Sequence, residues 1–173
     1  KKVFNLENHI RSIPDFPKKG IAFKDITPLL SNPVAVNQCL DELVTLVENQ
    51  KIDKVVGIES RGVFFATLLA QKLNAGFIPI RKKGKLPYKT HQATYSLEYG
   101  EDVIEIHQDA ISKGERILLH DDVLATGGTA KAATELITKL GGELVQCNFL
   151  IELSFLKGRQ LLHQYPVASI LTY

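Results

Sequence analysis

One stretch limits what this chain can fold into more than any other: Ile117-Leu118-Leu119-His120-Asp121-Asp122-Val123-Leu124-Ala125-Thr126-Gly127-Gly128-Thr129-Ala130. A mostly apolar run from Ile117 to His120 ends in two carboxylates. A turn rich in Gly and Thr follows, and a helical pattern opens at Ala130. Short apolar runs of this kind read as buried strands, so the local order is strand, loop, helix. In open α/β sheets, ligands bind beyond the carboxyl ends of the strands, where loops and helix N-termini converge. The first N–H groups of a helix have no intrahelical partner and carry about half a positive charge. Gly127 and Gly128 let the backbone approach a ligand closely, and Thr126 and Thr129 add hydroxyl donors. The result is a phosphate cradle of neutral donors with no lysine in it.

The rest of the chain supplies a sheet to carry that loop. Leu6, Ile10 and Ile13 lie at helical spacing, which predicts a short helix over Asn5–Ile13 ended by Pro14. Residues 15–28 hold two prolines and a glycine, directly after Pro14, and read as an ordered loop. In it, Phe16 and Phe23 either pin the loop to a core or form a flat apolar slot for a ring. Asn32-Pro33 starts a helix expected to bury Val36, Leu40, Leu43, Val44 and Val47. Val55–Ile58, a helix over Val63–Leu73 and Phe77–Ile80 make a βαβ unit, with Pro79 favouring a strand end or edge. Arg81–Ala93 is a polar loop. Thr94–Tyr99 and Val103–Ile106 alternate as a hairpin, which between two βαβ units suggests a mobile lid. A helix to Leu140, a strand over Leu144–Ile151, a helix over Leu156–Tyr165 and a strand over Val167–Leu171 complete an α/β, doubly wound, mainly parallel sheet flanked by helices.

Composition bounds the partners. The chain has 173 residues, the size of one domain, and a net charge of +2, which does not suggest a general nucleic-acid binder. Five basic residues nevertheless fall between Arg81 and Lys89 with no acid among them. Cys39 and Cys147 lack metal-ligand spacing and read as reduced, packed thiols. His9, His91, His107 and His163 show no ligand spacing either. No apolar run approaches the ~18 residues of a membrane span, and no signal peptide is visible. A soluble cytoplasmic protein without membrane or nucleic-acid partners is expected.

Asp121 and Asp122 repel a phosphate, so they must face sugar hydroxyls, a metal or a cationic transition state. A 5-phosphorylated ribose with a leaving group at C1 meets every requirement. A plain strand–turn–helix with an N-cap is the bland alternative. A nucleotide hydrolase would need G-x-x-x-x-G-K-[ST], but the only Gly-Lys pair, Gly84-Lys85, is followed by Leu86. No G-x-G-x-x-G follows any strand.

Asp121 to Thr129 resembles the phosphoribosyl-pyrophosphate signature of type I phosphoribosyltransferases. Residues 15–28, Arg81-Lys82-Lys83-Gly84-Lys85-Leu86-Pro87 and Tyr95-Ser96-Leu97-Glu98-Tyr99-Gly100 narrow the resemblance to the adenine-specific family, and Glu59-Ser60-Arg61-Gly62 resembles its pyrophosphate loop. The resemblance implies a single domain over 1–173, with a hood-like base-recognition segment at 1–33 and a basic loop and flexible lid hairpin at 81–107. It implies transfer of 5-phosphoribose from phosphoribosyl pyrophosphate to adenine, assisted by Mg²⁺ held mainly by substrate and water rather than by a protein metal site. Ala125, Thr126, Gly127, Gly128 and Thr129 would take the 5′-phosphate. Glu59, Ser60, Arg61, Arg81, Lys82 and Lys85 would lie near the pyrophosphate, with Arg81 reaching the other subunit's site in a homodimer. Ala22, Phe23 and Lys24 would line adenine. Asp121 and Asp122 would hold the ribose, and Arg61 joins them as a catalytic candidate. Glu98 in the lid would transfer a proton beside Tyr99.

His120 departs from this pattern, which usually has an apolar residue before the acidic pair; it is either a packing variant or a group whose protonation makes sugar binding depend on pH. Val63 replaces an aromatic residue, a matter of packing. A hypoxanthine, guanine or xanthine enzyme is an alternative that the Pro-rich N-terminal loop disfavours. A non-catalytic phosphoribosyl-pyrophosphate sensor is another, disfavoured by Glu98 and the basic loop.

Overall fold

The computed structural model describes residues 4–97 and 99–173. The chain divides into two compact units, Lys1–Glu42 and Leu43–Tyr173, with the division inside a helix.

In the first unit, the helix expected over Asn5–Ile13 is a single 3₁₀ turn, Leu6–His9, capped by Asn5, whose Oδ1 accepts the Glu7 N–H at 3.0 Å. The chain then extends as β1 (Arg11–Ile13), antiparallel to β2 (Phe23–Asp25), with Ile13 opposite Phe23. Two forces overrule the helical spacing. Pro14 disfavours helical geometry at Ile13, and the pairing with β2 supplies backbone partners that a lone helical turn lacks. After the short helix α1 (Thr27–Leu30), α2 (Pro33–Thr45) begins as the sequence suggests. Asn32 Oδ1 accepts the N–H groups of Val34 and Ala35 at 3.0 and 3.1 Å. Its buried stripe is Ala35, Cys39 and Leu43, continued by Val47; Val36, Leu40 and Val44 are only partly covered.

The second unit is built on a seven-stranded sheet. Its strands are β3 (Lys54–Ile58), β4 (Gly76–Lys82), β5 (Thr90–Ser96), β6 (Glu101–His107), β7 (Arg116–Leu124), β8 (Glu143–Glu152) and β9 (Val167–Thr172), in the order β5-β6-β4-β3-β7-β8-β9. From β4 to β9 all pairs are parallel. The β5–β6 hairpin runs antiparallel and joins β4 only through Arg81 and Lys82. Pro79 therefore lies where β4 has a neighbour on one side only, as a residue without an N–H requires.

Helices α3 (Gly62–Lys72) and α4 (Gly128–Lys139) cover the sheet. Val56 and Ile58 pack in the core cluster that includes Ala132, Ala133, Leu136 and Ile137 of α4. Gly57, between them, faces α3 so closely that a Cβ there would lie 2.6 Å from that of Ala66. Strand residues alternate between faces, so the two helices lie on opposite sides, the doubly wound arrangement expected. Among the described residues no helix is long and apolar enough to cross a membrane.

Two expectations change here. β7 continues through Asp121 and Asp122 to Leu124 because β8 is long enough to pair with it that far. The helix expected over Leu156–Tyr165 is instead a pair of 3₁₀ turns, Ser154–Leu156 and Gly158–Leu162, broken at Lys157, which has φ 55°.

Candidate active site

The carboxyl ends of β3, β4 and β7 open into a cavity of ≈ 260 Å³. Glu59, Ser60 and Arg61 border it after β3, Arg81 and Lys82 at the end of β4, and Tyr95 from the hairpin. Asp121, Asp122 and Thr129 close the remaining side. The peptide bond between Glu59 and Ser60 is cis. A smaller hollow of ≈ 70 Å³ lies against it, formed by Asp121 and the loop from Val123 to Ala130. The parallel strand order thus gathers at one edge groups that are distant in the chain.

The smaller hollow is a backbone structure. Gly127 precedes α4 with φ 90° and ψ −3°, in the left-handed region, and no side chain caps the helix. The unpaired N–H groups of the first turn therefore face the hollow with the helix dipole behind them. Gly127 also has no room for a side chain, since a Cβ would lie 2.5 Å from the Gly158 carbonyl oxygen. Thr126 is exposed and Thr129 half-buried at its rim.

The acidic pair is asymmetric. Asp122 is 5% exposed and pairs with Arg61, Oδ2 to Nε at 2.7 Å. Asp121 turns back, its Oδ1 accepting the Asp122 N–H at 2.8 Å, and lies under the start of α3. Gly62 makes that approach possible, because a Cβ there would sit 2.5 Å from Asp121 Oδ1. Burial first, and then the neighbouring Asp122 charge, hold the Asp121 carboxyl well above the usual carboxylate range, against the pull of Arg61. One carboxylate is thus paired with a guanidinium while its neighbour is biased toward the neutral form.

On the far side of the cavity the basic groups already have partners. Arg81 Nε donates to Glu59, and Lys82 pairs with Asp102 on β6, whose Oδ2 also accepts the Tyr95 hydroxyl at 3.1 Å. Burial acts to raise the Glu59 carboxyl, but hydrogen bonds from Arg81 and the Lys82 N–H, with the Arg81 and Lys85 charges, leave it lowered. The hydrogen bond to Asp102 raises the Lys82 ammonium and lowers the Asp102 carboxyl in turn. Lys85 is exposed in the turn after β4 and does not border the cavity. Glu98 lies outside the described residues. Tyr99, beyond it, is 84% exposed at the hairpin tip.

His120 is fully buried on β7, its Nδ1 2.8 Å from Asn148 Oδ1. Burial pushes its pKa down to about 4, against the Asn148 hydrogen bond and the Asp122 charge. It is neutral at ordinary pH, so the pH-dependent sugar binding expected of it does not arise near neutrality.

In the N-terminal unit, Ala22 is exposed and Phe23 and Lys24 open β2 opposite Ile13 and Ser12. Phe16 is 50% exposed and meets Phe23 edge-on, with ring centroids 5.3 Å apart. Phe16 therefore does not pin the loop into a core.

Among the described residues no three His, Cys, Asp or Glu side chains converge as a metal cage. The carboxylates bordering the cavity are Asp121, Asp122 and Glu59, with Asp122 already paired to Arg61 and Glu59 to Arg81. Such a set fits a hard cation that keeps most of its ligands from substrate oxygens and water.

The phosphoribosyl transferase domain family matches residues 28–168. The chain is 64% identical over 168 residues to an adenine phosphoribosyltransferase of Flavobacterium johnsoniae, covering 97% of this chain and 99% of that one. The crystal structure of the adenine phosphoribosyltransferase of Rhodothermus marinus is similar with a TM-score of 0.93 at 53% identity, covering 97% and 96% of the two chains. That of Saccharomyces cerevisiae, complexed with an imino-altritol bisphosphate and adenine, gives a TM-score of 0.90 at 43% identity, with 95% of each chain covered.

The chain belongs to the adenine phosphoribosyltransferase family.

Against that family assignment, Gly158 and Asp102 stand out as groups at the site that the motifs alone do not flag. Both act through contacts distant in sequence. The only local sign was a glycine inside an apparent helix, at Gly158.

Proposed function

We propose that this chain transfers the 5-phosphoribosyl group of phosphoribosyl pyrophosphate to adenine, forming AMP and pyrophosphate. The bond from C1 of the ribose to the pyrophosphate oxygen breaks, a bond from C1 to the N9 nitrogen of adenine forms, and adenine gives up a proton. The observation that carries this reading is the juxtaposition of a helix-N-terminal cradle, a buried acidic pair and a basic margin around one cavity.

The 5′-phosphate occupies the loop from Ala125 to Thr129, where backbone N–H groups meet it without a lysine. Asp121 and Asp122 accept hydrogen bonds from the ribose hydroxyls, and the charge on Asp122 favours the cationic sugar of the transition state. Pyrophosphate gathers charge as it leaves, so Arg61, Arg81 and Lys82, together with the Glu59-Ser60 backbone, bind it most tightly at that point, and Lys85, set back in the turn after β4, adds only its charge. Mg²⁺, coordinated mainly by substrate oxygens and water, neutralises part of that charge when bound. Adenine is read by Ala22, Phe23 and Lys24, by backbone groups for which a 6-oxo base offers the wrong donor. A mispaired buried group costs on the order of 1–3 kcal/mol. Glu98 serves as proton acceptor for the base, and Tyr99 helps exclude water that would capture the cation. The adenine seen with an imino sugar bisphosphate in the yeast relative is consistent with such a pair of subsites.

We further propose a homodimer, to which Arg81 contributes, and residence in the cytoplasm, which suits two buried free thiols. The test is direct. Protein, phosphoribosyl pyrophosphate and Mg²⁺ are mixed with adenine, hypoxanthine, guanine or xanthine in turn, and nucleotide is followed. AMP from adenine alone is expected. A 6-oxo base consumed in preference would overturn the specificity, and no nucleotide from any base would overturn the enzyme.

A further inference from the structure

The pair of 3₁₀ turns after β8 lies under the cradle, and the contact is made by bare backbone on both sides. A Cβ on Gly127 would come 2.5 Å from the Gly158 oxygen, and a Cβ on Gly158 would come 2.3 Å from the Ala125 oxygen and 3.0 Å from the Gly127 nitrogen. Neither glycine can be replaced without parting the two loops. The lower loop is itself held by a two-pronged fork on a buried carboxylate: Arg159 Nη2 and Nε meet Glu152 Oε1 and Oε2 at 2.6 and 3.0 Å. Arg159 Nη1 donates to the Val167 carbonyl at 2.7 Å, and Ser169 Oγ donates to Glu152 Oε1 at 2.7 Å. Glu152 lies at the end of β8 opposite Leu124, the last residue of β7, and the Leu153 N–H donates to the Leu124 carbonyl at 2.9 Å.

We infer that Gly158, held in place by the Arg159–Glu152 fork, is a positioning residue that sets the height of the phosphate loop and so its affinity for a phosphorylated sugar. Arg159 borders neither the cavity nor the smaller hollow. It acts by fixing Gly158, which fixes Gly127 and the direction of the first N–H groups of α4. Bidentate pairing gives it orientation as well as strength, which a lysine would not reproduce. The inference rests on the phosphoribosyl reading of the cavity.

The experiment compares the full-length protein with Gly158→Ala, Arg159→Ala and Arg159→Lys. Ribose 5-phosphate binding is measured by calorimetry, KM separately for phosphoribosyl pyrophosphate and adenine, and Tm for each protein. Gly158→Ala is expected to weaken ribose 5-phosphate and raise the phosphoribosyl pyrophosphate KM at least ~10-fold, the scale of a sub-ångström to ångström misplacement, with the adenine KM nearly unchanged. Arg159→Ala should act in the same direction, with partial recovery in Arg159→Lys. That pair decides the matter if Gly158→Ala fails to fold. Folded variants that bind ribose 5-phosphate as the wild type does, or that lose both substrates equally, overturn the positioning role. A wild type that does not bind ribose 5-phosphate overturns the functional reading beneath it.

Discussion

The loop after β7 and the segment after β4 border one cavity but are built in opposite ways. The first is backbone: a glycine at φ 90°, a helix start and a glycine floor beneath it. Its donors are neutral and fixed before any ligand arrives. The second is long charged side chains, with Arg81 and Lys82 41% and 48% exposed and each already engaged by an acid. Binding at the loop replaces water at donors that need no rearrangement, whereas binding at the basic margin must draw cations away from existing partners. A part of the substrate that keeps its charge throughout suits the first. A leaving group whose charge grows during the reaction suits the second, because interactions that strengthen only in the transition state accelerate the step.

The largest expected effect comes from breaking the fixed side. In Gly127→Ala, a left-handed φ costs roughly 1–2 kcal/mol for an L residue, and the new methyl group meets the Gly158 oxygen. The first turn of α4 must move, and kcat/KM for phosphoribosyl pyrophosphate should fall roughly 10²–10³-fold, the scale of losing positioned donors. Steady-state kinetics checks this. A loss below about tenfold would mean that the loop adapts, and the contrast between the two sides would disappear.

Most of this fixed side could be read from the chain itself, since Gly127, Gly128 and the Thr pair sit between an apolar run and a helical pattern. The sheet was legible for the same reason: buried parallel strands appear as short apolar runs, and α2 announced itself through Asn32-Pro33. What escaped depended on partners far along the chain. Asp121 and Asp122 look like the end of the strand until β8 is seen to pair on past them to Leu124. Residues 156–165 have helical spacing, yet the turn they form follows the demand of Gly127 for a bare floor. Ile10 and Ile13 suggest a helix until β2 claims Ile13. The pairing of Lys82 with Asp102 has no sequence signal, because no motif records which acid lies opposite a lysine across a hairpin.

A smaller effect tests whether the fixed side is also insensitive to pH. His120, beneath Asp122, has its pKa lowered to about 4 from the ordinary 6.5. As pH falls below 6.5 the unfolded chain takes up a proton that the folded chain refuses until about pH 4. Stability is therefore lost across that window and levels off below it. The full loss amounts to about 3 kcal/mol. His120→Leu should remove this part of the pH dependence, read as the difference in denaturant unfolding free energy between pH 7 and pH 4.5. The unpaired Asn148 oxygen lowers stability at both values, so the difference rather than the level is the measure. An unchanged pH dependence would show that His120 takes a proton within the fold, and that the loop side does respond to acid.

The smallest effect belongs to the basic margin, and its sign is what matters. Asp102→Asn removes the negative partner of Lys82 but keeps an acceptor for the Tyr95 hydroxyl. Exposed pairs contribute ~0–1 kcal/mol, so Tm should hardly move. If the pair restrains Lys82, the variant frees a cation for pyrophosphate, and the KM for phosphoribosyl pyrophosphate should fall about two- to fivefold at low salt. The gain should fade as added salt screens the charges, since the screening length shrinks to ~3 Å at 1 M. A KM that rises instead would mean that Asp102 aims Lys82 rather than detaining it. The basic margin would then be as preset as the phosphate loop, and the difference between the two sides would lie only in the charge of their donors.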